Sequence, residues 1–454
     1  MIASAGAMAA LAALALPALS RADTASADPS SGRAVVYRVP IRGAGDPQKL
    51  LAGGFDVLEK RQGKDLFVLG DPAVGERLHR LGFSWSVDRT LPGGRSSART
   101  APGAGVNDTY YGGYRTVDTQ YAHLDQTIAA HPGLATVVTY GQSWRKQNGQ
   151  PGGYDLKAVC ITKLTQGDCR LDPNSAKPRF FLMSQIHARE ITTGEVSWRW
   201  IDYLTGSYGT DPTVTALLDS TEMWVVPIAN PDGVDIVQQG GDNPNLQRKN
   251  ADDTNGSSCD WNGQIGIDLN RNAGTHWGAS GTSDQPCDET YLGPNSDSET
   301  ENSALENLFR ELYPAVRGGG DSAPAPADTR GVMITLHSDA GMVLFPWEYD
   351  HTVHTGNDAA LRAMAARMGS ITGYQYGQAG EILYDAAGGT DDWTYDKLGL
   401  ASFTIEVGDS DGRGCDGFLP PYSCQDGYFW PKLRPALLYA AQHAASPYRT
   451  TSGG

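Results

Sequence analysis

The chain has 454 residues, more than one hydrophobic core usually organises, so two folded units are expected. Hydrophobic residues make up 40% and charged ones 19%, a globular balance that excludes wholesale disorder. Fifty-two acids against 36 Lys and Arg leave a formal charge of -16, which argues against nucleic acid as a partner, because phosphates need clustered cations.

Ile2 to Leu19 is an Ala/Leu-rich apolar run, followed by Arg21 and the small residues Ala25, Ser26 and Ala27. Residues 1–27 read as a secretory signal peptide, and a secreted, extracellular protein is expected. No Lys or Arg precedes the run, so the true start of the leader stays open. A membrane anchor is the poorer reading, because the run is short and weakly apolar for a span of about 20 residues. No other stretch is long enough to cross a bilayer, so no membrane partner is expected after signal removal.

Residues 34–88 carry a compact pattern. Strands are predicted over 34–41, 55–59, 65–69 and 83–87, with helices over 46–51 and from Asp71-Pro72 to Leu81. The order β-α-β-β-α-β is that of a small α+β, ferredoxin-like domain. Residues 89–106 are rich in Pro, Gly, Ser, Ala and Arg and read as a linker, with Arg95 and Arg99 as protease targets. The division predicted is signal 1–27, propeptide domain and cleavable linker 28–105, catalytic domain 106–447 and tail 448–454.

From about residue 110 apolar runs alternate with helical patterns. Strands are predicted at 179–186, 223–228, 332–336 and 402–407. Helices are predicted at 116–130, 193–204, 298–313, 357–369 and 434–443. The fold class is α/β, a mixed, mostly parallel twisted sheet flanked by helices. The long Asn/Asp/Gly-rich loops between 230 and 300 read as functional. Six cysteines fall as three near pairs, and short loops close most readily. Disulfides are therefore expected for Cys160 with Cys169, Cys259 with Cys287, and Cys415 with Cys424. A structural zinc site would need C-x₂₋₄-C spacings, and none occurs.

Ligands gather beyond the carboxyl ends of strands in such sheets. Here the strand 179–186 runs into His187, Ala188, Arg189 and Glu190, the strand 332–336 into His337, and Phe403 to Ile405 into Glu406. His187, Glu190 and His337 form a His₂Glu set, three protein ligands with one position open, which is the make-up of a catalytic zinc site. A carboxylate at Glu406, on the strand face shared with Thr404, is expensive unless partnered or used. His351 and His354 offer a rival pair but sit in what reads as a solvated loop.

These residues resemble the zinc carboxypeptidases of the A/B type over about 110–445. The pieces that carry the likeness are His187 to Glu190, Asn230 to Gly233, Gln247 to Lys249, Asp268 to Asn272, His337-Ser338, Tyr384 to Gly389, and Phe403 to Glu406. The resemblance implies one zinc on His187, Glu190 and His337, with Glu406 as general base and then acid. It implies that Arg248 steadies the developing oxyanion, and that Asn270, Arg271 and Tyr384 hold the substrate's terminal carboxylate. Asp268 would orient His187, and Arg189 reads as a supporting residue. Asp391 stands where an aspartate accompanies basic preference, so basic and also some hydrophobic C-terminal residues are expected as substrates. The front domain resembles the family's propeptide, which implies an activating protease as partner, peptide and protein C-termini as substrate, and a monomer.

Three other readings stand beside this one. A relative that trims cell-wall peptides at γ-D-glutamyl bonds would change the carboxylate-holding residues, against Arg271 and Tyr384. An inactive secreted binding homologue would have lost Glu406 or a ligand. An acidic adhesion or calcium-binding protein would use Asp252-Asp253 and Asp409 to Asp416, and bound calcium stays undecided.

Overall fold

The computed structural model describes residues 34–91, 108–254, 259 and 264–449. The predicted signal segment, the predicted linker from residue 92 and the tail from residue 450 lie outside the described residues.

The first unit is built from β1 (Ala34–Pro40), α1 (Asp46–Ala52), β2 (Asp56–Gln62), β3 (Asp65–Gly70), α2 (Val74–Arg80) and β4 (Ser86–Leu91). Its four-stranded sheet runs β2-β3-β1-β4, antiparallel throughout. Asp71 starts α2 as expected: its Oδ1 accepts from the amides of Ala73 at 2.9 Å and Val74 at 3.2 Å. The last strand lies three residues later than the predicted 83–87. Gly82, at φ +86, closes α2 by donating its amide to His79, and the Phe83 amide returns to Leu78 at 3.0 Å. Phe83 therefore packs as the apolar follower of a helix C-cap, not as strand. Residues 89–91, predicted as linker, belong to β4.

The second unit opens on a short hairpin, β5 (Thr109–Tyr110) and β6 (Tyr114–Arg115), and then α3 (Val117–Ala130), β7 (Ala135–Gln142), α4 (Trp144–Gln147), β8 (Asp155–Ile161) and β9 (Arg179–Ser184). It continues with α5 (Ile191–Ser207), α6 (Pro212–Ser220), β10 (Glu222–Val226), α7 (Pro231–Gln238), α8 (Thr300–Leu312), β11 (Val332–Ser338) and β12 (Met342–Leu344). It ends in α9 (Asp358–Thr372), β13 (Gln375–Gly377), α10 (Ala379–Ile382), α11 (Thr390–Leu398), β14 (Ala401–Val407) and α12 (Trp430–Gln442).

The eight-stranded sheet runs β13-β12-β14-β11-β9-β10-β8-β7. Four of its strand pairings are parallel and three antiparallel, and the central strands β14, β11, β9 and β10 are all parallel. Each of those four is buried along its whole length, as a sheet covered on both faces requires. Two apolar layers cover it. One holds Trp200, Leu204, Leu433 and Leu437 from α5 and α12. The other holds Leu305, Phe309 and Trp393 from α8 and α11.

All three expected disulfides are formed, with Cα separations of 5.8 Å (Cys160–Cys169), 5.3 Å (Cys259–Cys287) and 5.7 Å (Cys415–Cys424). Among the described residues, no helix is long and apolar enough to cross a membrane.

Candidate metal and active site

The parallel register sets the centre. β11 and β14 pair with His337 beside Glu406, and β9 feeds the turn that carries His187 and Glu190 into α5. His187 Nδ1 lies 2.8 Å from Glu190 Oε1 and 3.1 Å from His337 Nδ1. His337 Nδ1 is 3.3 Å from Glu190 Oε2. One ligand atom from each of the three lies within 4.8 Å of the others, and all three residues are buried. On its other nitrogen, Nε2, His187 meets Asp268 Oδ1 at 3.1 Å. That contact fixes the tautomer and leaves Nδ1 with a lone pair aimed at the centre. A carboxylate and two ring nitrogens converging in a dry site fit a divalent cation, and His₂Glu is a zinc-type donor set.

Asp268 holds two functional groups at once. Its other oxygen accepts from Arg248 Nε at 3.0 Å, so His187 and Arg248 are spaced by one carboxylate. Burial opposes the charge on Asp268, but Arg248 and then His187 hold it well below the usual carboxylate range. Asn230 anchors the surrounding turns: its Oδ1 caps α7 through the Gly233 amide, and its Nδ2 donates to the carbonyls of Ile186 and Lys249.

Glu406 is 2% exposed, and its Oε2 has no hydrogen-bond partner. Burial first, then the charges of Glu190 and Glu59, push its carboxyl well above the carboxylate range. A carboxyl so hard to ionise is a strong base once ionised.

Glu406, His187 and His337 line a small cavity with Asn270, Arg271, Tyr384 and Glu348. Arg271 is braced by the carbonyls of Gly281 and Asn270 at 2.9 and 2.8 Å. Asp391 lies behind this cavity: its Oδ1 accepts from the Asp392 amide and its Oδ2 from Thr404 Oγ1 at 3.1 Å. Glu348 is the residue that sequence reading missed. It lines the cavity beside Asp391, and its Oε1 is buried without a partner. Burial, then Asp391 and Asp392, push Glu348 well above the carboxylate range.

The front domain covers this cavity. From β2, Glu59 Oε1 meets Arg248 Nη1 at 2.7 Å, and Tyr384 donates its hydroxyl to the Val57 carbonyl at 3.1 Å. Arg189 forks onto Asp56 at 2.6 and 2.8 Å and lies over the Phe418 ring. Only about 20 Å³ of free space remains, room for a water and nothing larger.

Elsewhere, His351 meets Asp385 at 3.0 Å and His354 meets Gln378 at 2.6 Å, both outside the centre. In the 409–416 loop Asp409 accepts from the Asp411 and Cys415 amides, and Asp411 pairs with Lys432 at 2.7 Å.

A buried His₂Glu centre with an adjacent carboxyl, at the carboxyl ends of a mixed α/β sheet, defines a metal-dependent hydrolase. Residues 120–426 match the zinc carboxypeptidase family, and the chain belongs to that family of hydrolases acting on peptide bonds. Carboxypeptidase B of Homo sapiens is 34% identical over 319 residues, 69% of this chain and 66% of its own length. Carboxypeptidase A2 of Mus musculus is 29% identical over 317 residues, 68% of this chain and likewise 66% of its own. The carboxypeptidase A structure from Helicoverpa armigera superposes with a TM-score of 0.68 at 21% identity, covering 91% of this chain and 99% of that one. The structure of thrombin activatable fibrinolysis inhibitor gives 0.67 at 22%, with the same coverage.

Proposed function

We propose that the chain is a secreted zinc metallocarboxypeptidase, made as a zymogen, that removes single residues from the C-termini of peptides and proteins. The observation that supports this most is the His187–Glu190–His337 centre beside Glu406, opening on a cavity that Arg271 and Asn270 close. A guanidinium fork matches a free carboxylate, which selects chain ends over internal bonds.

Zinc bound at His187, Glu190 and His337 supplies Lewis acidity and makes water nucleophilic near neutral pH. Glu406 takes the proton of the attacking water and returns it to the departing amine. Arg248, spaced from His187 by Asp268, donates to the oxygen on which negative charge develops. Asn270, Arg271 and Tyr384 bind the terminal carboxylate. Asp391 sits behind Glu348, so this carboxyl pair forms the floor that meets the terminal side chain. One shared proton suits an apolar residue, and full ionisation suits Lys or Arg. The front domain blocks the cavity through Glu59 on Arg248 and the Val57 carbonyl on Tyr384 until a protease cuts the connection to the rest of the chain.

Digestion of a defined peptide set followed by mass spectrometry tests the reading. The expected result is stepwise loss of one C-terminal residue, abolished by a zinc chelator and restored by zinc. Internal cleavage, or shortening indifferent to the chelator, overturns it.

A further inference from the structure

Two carboxylates on the face that the front domain covers are not used by the chemistry above. Asp339 follows His337 by two residues, at the end of β11, and its side chain is fully buried. Its backbone carbonyl lies close beside Gly408, two residues past Glu406. Asp416 joins it from the loop stapled by Cys415–Cys424. Neither lines the cavity that holds Arg271 and Glu348.

Both are occupied by cations of the front domain. Arg89 of β4 reaches Asp339 Oδ2 at 2.8 Å and Asp416 Oδ2 at 3.2 Å. Lys60 of β2 pairs with the same Asp416 oxygen and is 7% exposed. Even so, Asp339 Oδ1 stays buried without a partner, so the cluster holds more acceptor capacity than its two visitors use.

The positions along β2 give this cluster a meaning. Glu59 places its carboxylate on Arg248 at the cavity, and the very next residue, Lys60, lands on Asp416. An extended chain advances about 3.3 Å per residue. One extended backbone across this face therefore reaches the cavity and the acid pair with neighbouring side chains. A substrate held by its terminal carboxylate on Arg271 has to lead its earlier residues out of the cavity, and β2 lies across it through Glu59 on Arg248 and Val57 on Tyr384. Its residues before the scissile bond must then pass the place that β2 now covers.

We propose that Asp339 and Asp416 form a cation subsite for a basic side chain on the acyl side of the scissile bond, with Lys60 and Arg89 as its built-in occupants. The proposal rests on the carboxypeptidase reading and adds a second selectivity, separate from that of the terminal residue. Two carboxylates sharing a cation between low-dielectric walls discriminate against a like charge as well as attracting an opposite one.

The test uses the zinc-loaded full chain, cut between the front domain and the rest by limited proteolysis. Peptides share one C-terminal residue and carry Lys, Ala or Glu second or third from the end. The expected order of kcat/KM at one of these positions is Lys over Ala over Glu, about tenfold per step. Asp339→Asn and Asp416→Asn should each flatten the order while leaving the Ala peptide within about twofold. Because Asp339 is buried, Asp416→Asn, whose side chain is 28% exposed, is the variant that decides if the first fails to fold. Equal rates for Lys and Glu at both positions, or an order unmoved in Asp416→Asn, overturns the subsite while leaving the carboxypeptidase reading intact. Failure to shorten any peptide overturns that reading itself, and the subsite with it.

Discussion

Glu59→Gln in the uncut chain separates a latch from a passive cover. Glu59 and Arg248 are both nearly buried and meet at 2.7 Å. Burial opposes the charge on Glu59, but Arg248 and then His187 hold its carboxyl below the usual range. Removing one member of a buried ion pair typically costs about 3–5 kcal/mol, because the other is left uncompensated. Here the docked state alone bears that cost, since in the undocked state Arg248 is hydrated and keeps Asp268. Glutamine still accepts one neutral hydrogen bond, so about 3 kcal/mol of docking free energy should be lost. At 1.4 kcal/mol per factor of ten, the open fraction rises about 100-fold. The assay is the initial rate of C-terminal residue release by the uncut chain in excess zinc, against the cut chain as ceiling. The uncut variant should rise by that factor, and the cut variant should equal the cut parent, because Glu59 belongs to the front domain. A folded, uncut variant with an unchanged rate would mean that the Glu59–Arg248 pair does not hold the front domain down.

Glu406→Gln should lower kcat by about 10²–10⁴-fold while zinc content, read by elemental analysis, stays at the parent level. Glu348→Gln should cut kcat/KM for C-terminal Arg about tenfold relative to C-terminal Phe, read on matched peptides, because a neutral amide cannot pair with the guanidinium in the dry floor. Glu301 bears on pH: burial, then Asp232, raises its carboxyl to about 8. Unfolding restores an ordinary glutamate near about 4.3, so between these values the folded chain keeps a proton that the unfolded chain has lost. Stability from this group therefore falls as pH climbs through that window. Glu301→Gln keeps an acceptor for the Trp144 amide and should resist urea better than the parent at pH 9, by up to about 5 kcal/mol, with the difference fading toward pH 5.

The convergence of the candidate metal ligands was legible because strand ends carry it: apolar runs stop on His187, His337 and Glu406, and the structure brings these residues together. The front domain was legible because its short apolar runs are separated by polar turns and its helices start at Asp46 and after Asp71. Glu348 gave no such signal. It follows Trp347 in a loop, and only the packing of that loop against α11 brings it to Asp391, with its amide on Asp392 Oδ1 at 2.9 Å. Glu59 was hidden for the opposite reason. In sequence Glu59 and Lys60 look like a solvated strand end, but they are buried where they meet Arg248 and Asp416 of the second unit. Strands β12 and β13, three residues each, are too short for periodicity to register. Phe83 misled because an apolar residue after Gly82 caps a helix as readily as it opens a strand.

Zinc titration of the metal-stripped full chain, followed by X-ray absorption at the zinc edge, tests the central convergence most directly. The expected result is one tightly bound zinc per chain with two nitrogen ligands at about 2.0–2.1 Å and oxygen completing the shell. Binding should be lost in His187→Ala and His337→Ala alike. Sulfur in the shell, or tight binding that survives both substitutions, would contradict the convergence.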